Sequence, residues 1–227
     1  VTVTAAPLLV VAPHQDDETF GCGGLIALKC AAGVPVSVVF LTDGSRCFGD
    51  GYPDPAGLST LRRREALSAL GALGVAADAV TFLDLPDGGL SGLGGAERAD
   101  AVARLAEVVR AARPGEVCVP HRRDRHADHE AASLLTREAI AATRLAAPPD
   151  ILEYLIWHFW EAPLLRRPDP GDLRGAVRVG IAPALDAKRR AAAAYASQAA
   201  CLPRRFLRAA TADPWELFVP GREGAPR

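Results

Sequence analysis

Short β-prone apolar runs recur through this chain, and most are followed by a longer stretch with helical spacing. The first four are LLVVA (8–12), VSVVFLT (36–42), AVTFLDL (79–85) and EVCVP (116–120), and helices are expected at about 23–32, 60–73, 97–112 and 129–146. Strands alternating with helices mean βαβ units, hence a mainly parallel sheet covered by helices on both faces, an α/β three-layer sandwich. Further strands are expected at 151–157 and 176–181, with a late helix at 183–200. The last two dozen residues give no clear signal.

The 227 residues suffice for one sizeable core, and no internal linker divides them, so residues 1–227 are read as a single domain. The net charge of −1 provides no basic field for nucleic acid or an anionic membrane. The longest apolar runs fall far short of the ~20 residues of a membrane span. No Lys or Arg precedes Lys29, so no basic leader region is visible, and a cytoplasmic protein is expected. Cys22, Cys30, Cys47, Cys118 and Cys201 are scattered and never form CxxC; they are read as reduced thiols filling the core.

The polar clusters sit just beyond strand C-termini, where open α/β sheets place their ligand crevice. His14-Gln-Asp-Asp-Glu follows the first strand, Thr42-Asp43-Gly44 the second, Asp84 and Pro86-Asp87 the third, and 121–129 the fourth. Asp16, Asp17 and Glu18 repel one another, and a bound cation would make their concentration tolerable. The best complement is PHRRDRHADHEAA, where His121, His126 and His129 are interleaved with Asp124 and Asp128. Imidazole plus carboxylate suits Zn2+ in a catalytic site that keeps one position open. Fe2+ or Co2+ would accept the same ligands.

PHQDDE followed downstream by HADH resembles the LmbE-like, or PIG-L, zinc-dependent N-deacetylases. LTDG, the helix LRRREALSALGALGV, FLDLPDGGL and KRRAAAAYASQ are similar to further family segments, so the likeness covers roughly residues 7–200. The resemblance implies a Rossmann-like fold with the metal site at the C-terminal strand ends. It implies His14, Asp17 and His129 as metal ligands, Asp16 as general base, His126 as the group stabilising the oxyanion, and Asp128 as a carboxylate supporting the histidines. Asp16 would take a proton as water attacks an amide carbonyl and deliver it to the departing amine, releasing acetate. Arg62 and Asp87 become candidates for sugar-hydroxyl contacts, with Asp43 a third substrate contact in the turn after strand two. Glu18 is expected to face the scaffold, pairing with an arginine or capping a helix. Gln15 and Ala127 stand where the family has prolines, and Ser45 where an acidic residue is common; stiffness should change more than chemistry.

The expected partner is a small N-acetylated sugar conjugate; association with further copies of the chain is left open. Rival readings are an amidase acting on a thiol–sugar conjugate, a magnesium-binding receiver-like module, and a catalytically silent carbohydrate-binding relative. A receiver would leave His14, His126 and His129 unexplained. GCGG at 21–24 lacks the dinucleotide GxGxxG, and there is neither a P-loop lysine nor a GxSxG elbow. His121 divides evenly between pocket rim and strand end. His158 is read as core, Tyr195 and Gln198 as helix packing, and the glycine-rich DGGLSGLGG as a mobile flank of the crevice.

Overall fold

The central strand, β1 (Leu8–Ala12), is buried at every residue and runs parallel to β2 (Val36–Thr42) on one side and β4 (Glu116–Pro120) on the other. Side chains alternate across a strand, so Leu8, Val10 and Ala12 enter one apolar layer and Leu9 and Val11 the opposite one. Strands apolar on both faces belong to a sheet covered on both sides. In this computed structural model, which describes residues 3–46, 53–157 and 171–221, β3 (Val80–Leu85) lies parallel beyond β2, and β5 (Asp150–Tyr154) parallel beyond β4. β6 (Val177–Gly180) and β7 (Trp215–Pro220) complete the sheet in the order β3-β2-β1-β4-β5-β7-β6. β7 is antiparallel to both neighbours.

In chain order the helices are α1 (Asp17–Ala31), α2 (Pro55–Leu73), α3 (Gly95–Ala112), α4 (Ala127–Thr143), α5 (Leu185–Ala194), the single turn α6 (Ala196–Ala199) and α7 (Arg204–Ala212). Ile26 of α1, Leu70 of α2, Ala191 of α5 and Phe206 of α7 pack on the Leu8/Val10 side, and Leu105 of α3 and Leu135 of α4 on the Leu9/Val11 side. The expected three-layer α/β architecture is what forms. No helix among the described residues is long and apolar enough to cross a membrane.

Element boundaries differ from expectation in ways that matter for the site. α1 begins at Asp17, six residues before the expected start, and is kinked at Cys22 (φ −146°, ψ 21°). The kink frees the N–H groups of Gly24 and Leu25, which donate to the two oxygens of Glu216 at 2.7 and 2.9 Å, while Phe20 O accepts from Lys188 Nζ at 3.1 Å. Helical spacing is therefore clearest from Gly23 onward, although a first turn precedes it. α2 begins at Pro55 because Asp54 accepts from Gly57 N and Pro55 occupies the first turn. α4 starts two residues early, with His126 as its N-cap. The late helix breaks at Tyr195 (φ −83°, ψ 56°). The tail without clear signal contributes both α7 and β7.

Cys22 and Cys118 are buried, Cys30 is half-buried, and Cys201, contrary to expectation, is exposed. Cys47 and His158 lie outside the described residues.

Candidate active site and metal centre

β1 and β4 are neighbours, yet the chain leaves β1 toward β2 on one side while β4 continues toward β5 on the other. The sheet thus has its topological switch between the two strands that carry the histidine clusters, where a crevice opens in this architecture. That crevice, of about 530 Å³, is lined on its polar side by His14, Asp16, Asp17, Arg62, Asp87 and His126.

Two helix N-termini deliver the side chains. Asp17 and Glu18 form the first turn of α1, where the helix dipole favours negative charge. Asp16 precedes them with φ 150°, a strained conformation for a non-glycine residue. It turns Asp16 and Asp17 in different directions. On α4, His126 caps the helix, Asp128 lies in the first turn, and His129 follows from the buried face.

Each of two imidazoles has one ring nitrogen held by a buried carboxylate. His129 Nδ1 lies 2.8 Å from Asp124 Oδ2, and Asp124 also accepts from Ile156 N at 3.1 Å and Trp157 N at 3.2 Å. Such a carboxylate is an acceptor, so Nδ1 carries a proton and the lone pair of the neutral ring falls on Nε2. That buried Nε2 has no hydrogen-bond partner and sits 3.3 Å from Asp17 Oδ1. His14 is the mirror case: Nε2 lies 3.1 Å from Asp128 Oδ2 and 3.2 Å from Asp87 Oδ1, and Nδ1 is turned on Asp17 Oδ2 at 3.2 Å. Asp128 is itself held by Gly88 N at 2.7 Å and Leu90 N at 3.0 Å. The same contacts hold the Gly88–Leu90 end of the glycine-rich loop.

These groups fit a divalent cation. An orphaned buried imidazole nitrogen, a second imidazole and a carboxylate converge, and further carboxylates fix both rings. His14, His126 and His129 also place one nitrogen each within 4.8 Å of the others, as His14, Asp87 and Asp128 do with their ligand atoms. In the second group the Asp128 oxygens already serve Gly88 and Leu90, so Asp17 is the carboxylate better placed to ligate.

Electrostatics point the same way. Burial opposes charge on His129, but Asp17 and Asp124 outweigh it and lift the imidazole to about 9. His14 is likewise raised well above its usual value, against burial, by Asp128, Asp17 and Asp87. Asp17 is held well below the carboxylate range, despite burial, by the two histidines. Protons on His14 and His129 thus occupy the place of a cation. Burial pushes Asp16 up to about 7, with Arg62 opposing. His126 is pressed down to about 4 by burial and then by His129 and His14. Its Nδ1 accepts from Asp128 N at 3.3 Å, so a neutral His126 carries its proton on Nε2.

Arg62 is buried at 2% exposure rather than lying on an open helix face. It donates to Gly44 O at 3.1 Å and Gln15 O at 3.0 Å and reaches Asp16 at 3.5 Å and Asp87 at 3.8 Å. Burial raises the Asp87 carboxyl, but His14 leads the groups that bring it down to about 2. Gln15, at the proline position, ties the β1 end to β2 by donating to Thr42 O at 2.8 Å. Glu18 does face the scaffold and, of the two expected roles, takes the helix-capping one: it accepts from the N–H of the N-cap residue Asp16 at 3.2 Å, as well as from Tyr195 Oη at 2.6 Å and Thr19 Oγ1 at 2.5 Å, and has no arginine partner among the described residues. Tyr195 and Gln198 accordingly do more than pack a helix: the first holds Glu18, and the second lines the crevice.

Asp43 is not brought to this crevice. Its N–H donates to Leu85 O at 2.9 Å, and it lines a separate hollow with Ser45, Arg63 and Asp84. His121 is fully buried at its strand end, 3.5 Å from Glu153, away from the rim. Asp124 was noted only as part of a cluster. The spacing of five from His129 hinted at contact, but the backbone donors that fix it come from after β5. Arg46 opens the RCFGDGYPDPAG loop, which is expected from the sequence to flank the crevice, and it does line it; Trp157, read from the sequence as core and strand end, lines it too.

The fold and site define an α/β protein with a histidine–carboxylate centre suited to a catalytic cation. The chain belongs to the PIG-L family: the family model described as GlcNAc-PI de-N-acetylase matches residues 9–140. It is 30% identical over 250 residues to the 1D-myo-inositol 2-acetamido-2-deoxy-alpha-D-glucopyranoside deacetylase of Rhodococcus erythropolis, covering 89% of this chain and 84% of the relative. The conserved protein TT1542 from Thermus thermophilus superposes with a TM-score of 0.69 at 29% identity, covering 96% of this chain and 95% of that one. GalB, the 4-carboxy-2-hydroxymuconate hydratase of Pseudomonas putida, gives 0.66 at 26% identity, covering 86% and 81%.

Proposed function

We propose that this chain is a metal-dependent hydrolase, zinc being the first candidate ion, that removes an N-acetyl group from an N-acetylglucosamine-type sugar conjugate. The observation that carries the reading is the orphaned Nε2 of buried His129, facing Asp17 and His14 beside Asp16. The fold alone does not decide the reaction, since a hydratase shares it.

His14 through Nδ1, Asp17, and His129 through Nε2 would hold the ion. Bound there, Zn2+, Fe2+ or Co2+ would polarise an amide carbonyl and lower the pKa of water. Asp16, buried with a carboxyl near 7, takes the proton of the attacking water and passes it to the amine as the C–N bond breaks. His126 donates from Nε2 to the developing oxyanion as a neutral imidazole, so the alternative of a charged donor is not needed. Arg62 keeps Asp16 oriented and, with Asp87, faces the sugar. Asp128 acts on His14 through Nε2, not on His126 as a proton acceptor. The products are acetate and a free amine.

A receiver module leaves the three converging imidazoles without a role, and the PIG-L family membership sets that reading aside. A thiol–sugar amidase would use the same centre and differs only in what lies beyond the amide. The test is elemental analysis of the purified protein beside His14→Ala, followed by acetate release from N-acetylglucosamine conjugates. About one transition metal per chain, lost in the variant, together with acetate release, is the expected result. A chain that stays metal-free after reconstitution would overturn the proposal.

A further inference from the structure

The crevice has two unlike walls. One is the charged wall of Arg62, Asp87 and Arg46; the other is Phe20, Ile156, Trp157, Leu202 and Phe206, contributed by α1, the segment after β5, the α6–α7 turn and α7. The rings of the second wall also contact other rings. Trp157 stacks on His126 with ring centroids 5.3 Å apart and 25° between planes. Phe20 meets Phe206 edge-on at 5.3 Å and Tyr195 at 6.4 Å. With the aliphatic Ile156 and Leu202 beside these rings, the wall is a continuous apolar surface suited to an alkyl chain.

The chemistry orients a substrate between the walls. The reacting carbon carries the amide nitrogen, leading to the sugar, and the acyl carbon, leading away from it. If the sugar lies on the Arg62 and Asp87 side, as the proposed function has it, the opposite side of the crevice, formed by Trp157 and Ile156, is the one left for the acyl group. A methyl group fills little of a crevice of about 530 Å³. We propose that the Phe20–Ile156–Trp157–Leu202–Phe206 wall is an acyl subsite, and that the chain removes medium-length N-acyl groups from amino sugars in preference to acetyl. This deepens the deacetylase reading and rests on it for the step itself: the amide C–N bond breaks, the oxygen of water joins the acyl carbon, and the amine leaves with a proton, giving a medium-chain carboxylic acid.

The experiment compares N-acetyl-, N-butyryl-, N-hexanoyl- and N-octanoylglucosamine, following release of glucosamine by the metal-loaded protein. In parallel, equilibrium binding of the same series is measured on metal-free protein. Each added methylene should raise kcat/KM and tighten binding about twofold to fourfold, the range up to full burial of one CH₂. Leu202→Asp, at a half-buried position, should flatten both slopes, and its melting temperature verifies folding. Hydrolysis of the acetyl compound with no gain, or a loss, on lengthening would overturn the acyl subsite and leave the deacetylase reading intact. Binding that tightens with length without any hydrolysis would keep the wall as an acyl-binding surface but overturn both the removal of acyl groups and the deacetylase reading. A slope unchanged in Leu202→Asp would count against this wall as its origin.

Discussion

Helix α1 meets two buried sets of charge, and they are built on opposite principles. At its kink, Glu216 accepts from Gly24 N, Leu25 N and, at 2.7 Å, from Lys188, which also donates to Phe20 O. That pair closes on itself: each charge meets its opposite and the backbone groups freed by the kink. At its N-terminus, Asp16 and Asp17 lie side by side, two imidazoles face one carboxylate, and the buried Nε2 of His129 has no hydrogen-bond partner. A closed set of charges holds a scaffold; an open set is stable only with something further bound. Neighbourhood in the fold is not the difference, since the two sets share a helix.

This contrast can be broken by substitution. The largest effect is expected at the open set: Asp16→Asn should lower turnover by about 10²–10⁴-fold while retaining the metal, as read by steady-state rates and elemental analysis. Near-normal turnover would remove Asp16 as the base. In the closed set, Lys188→Met leaves Glu216 charged and buried without its partner. It should cost about 3–5 kcal/mol in denaturant unfolding, yet the folded fraction should still take up one metal. A variant that folds normally but loses metal would show that the two sets are coupled.

A smaller effect is expected behind the ligands. Asp124→Asn weakens the hold on the His129 tautomer and should reduce metal affinity about 10–100-fold in chelator competition. Unchanged affinity would mean that Asp124 serves only the backbone of Ile156 and Trp157. The mildest test is pH. In metal-free protein, His129 is raised to about 9 from its unfolded value of ~6.5. Its contribution to stability is therefore fully present below ~6.5 and lost as pH rises through about 9, on the order of 1–3 kcal/mol. The depressed Asp17 acts in the opposite window, losing its contribution as pH falls below the carboxylate range. Metal should abolish the alkaline decline, because the ion takes the place of the protons. Thermal melts at pH 6 and 9, with and without zinc, measure this; a decline that persists in loaded protein would place its origin elsewhere.

Much of the site was legible because it is local. HQDDE and HADH bring most of the candidate groups to two strand ends, and the periodicity of the runs shows which ends those are. Asp43 was misplaced for a physical reason. The β2–β3 register shifts between Phe40 and Thr42, so Asp43 pairs through its backbone with Leu85 and faces the hollow beside Asp84. A one-residue irregularity in pairing leaves no trace in composition. Likewise, Asp54-Pro55 was a readable helix start hidden inside a loop-like stretch rich in Gly and Pro.

Sequence alone determined the α/β class, the order of the parallel strands' side-chain chemistry, and most of the histidines and carboxylates that converge, because apolar period and motif spacing act within a few residues. Only the tertiary structure decided which nitrogen of each histidine is left open, that Asp124 and Asp128 hold those rings, and that Glu216 from an unreadable tail clamps α1. It also decided that the crevice has an apolar wall. Those outcomes depend on hydrogen bonds and contacts in which direction and burial, rather than residue type, set the chemistry, over separations from five residues, as in Asp124 and His129, to more than a hundred.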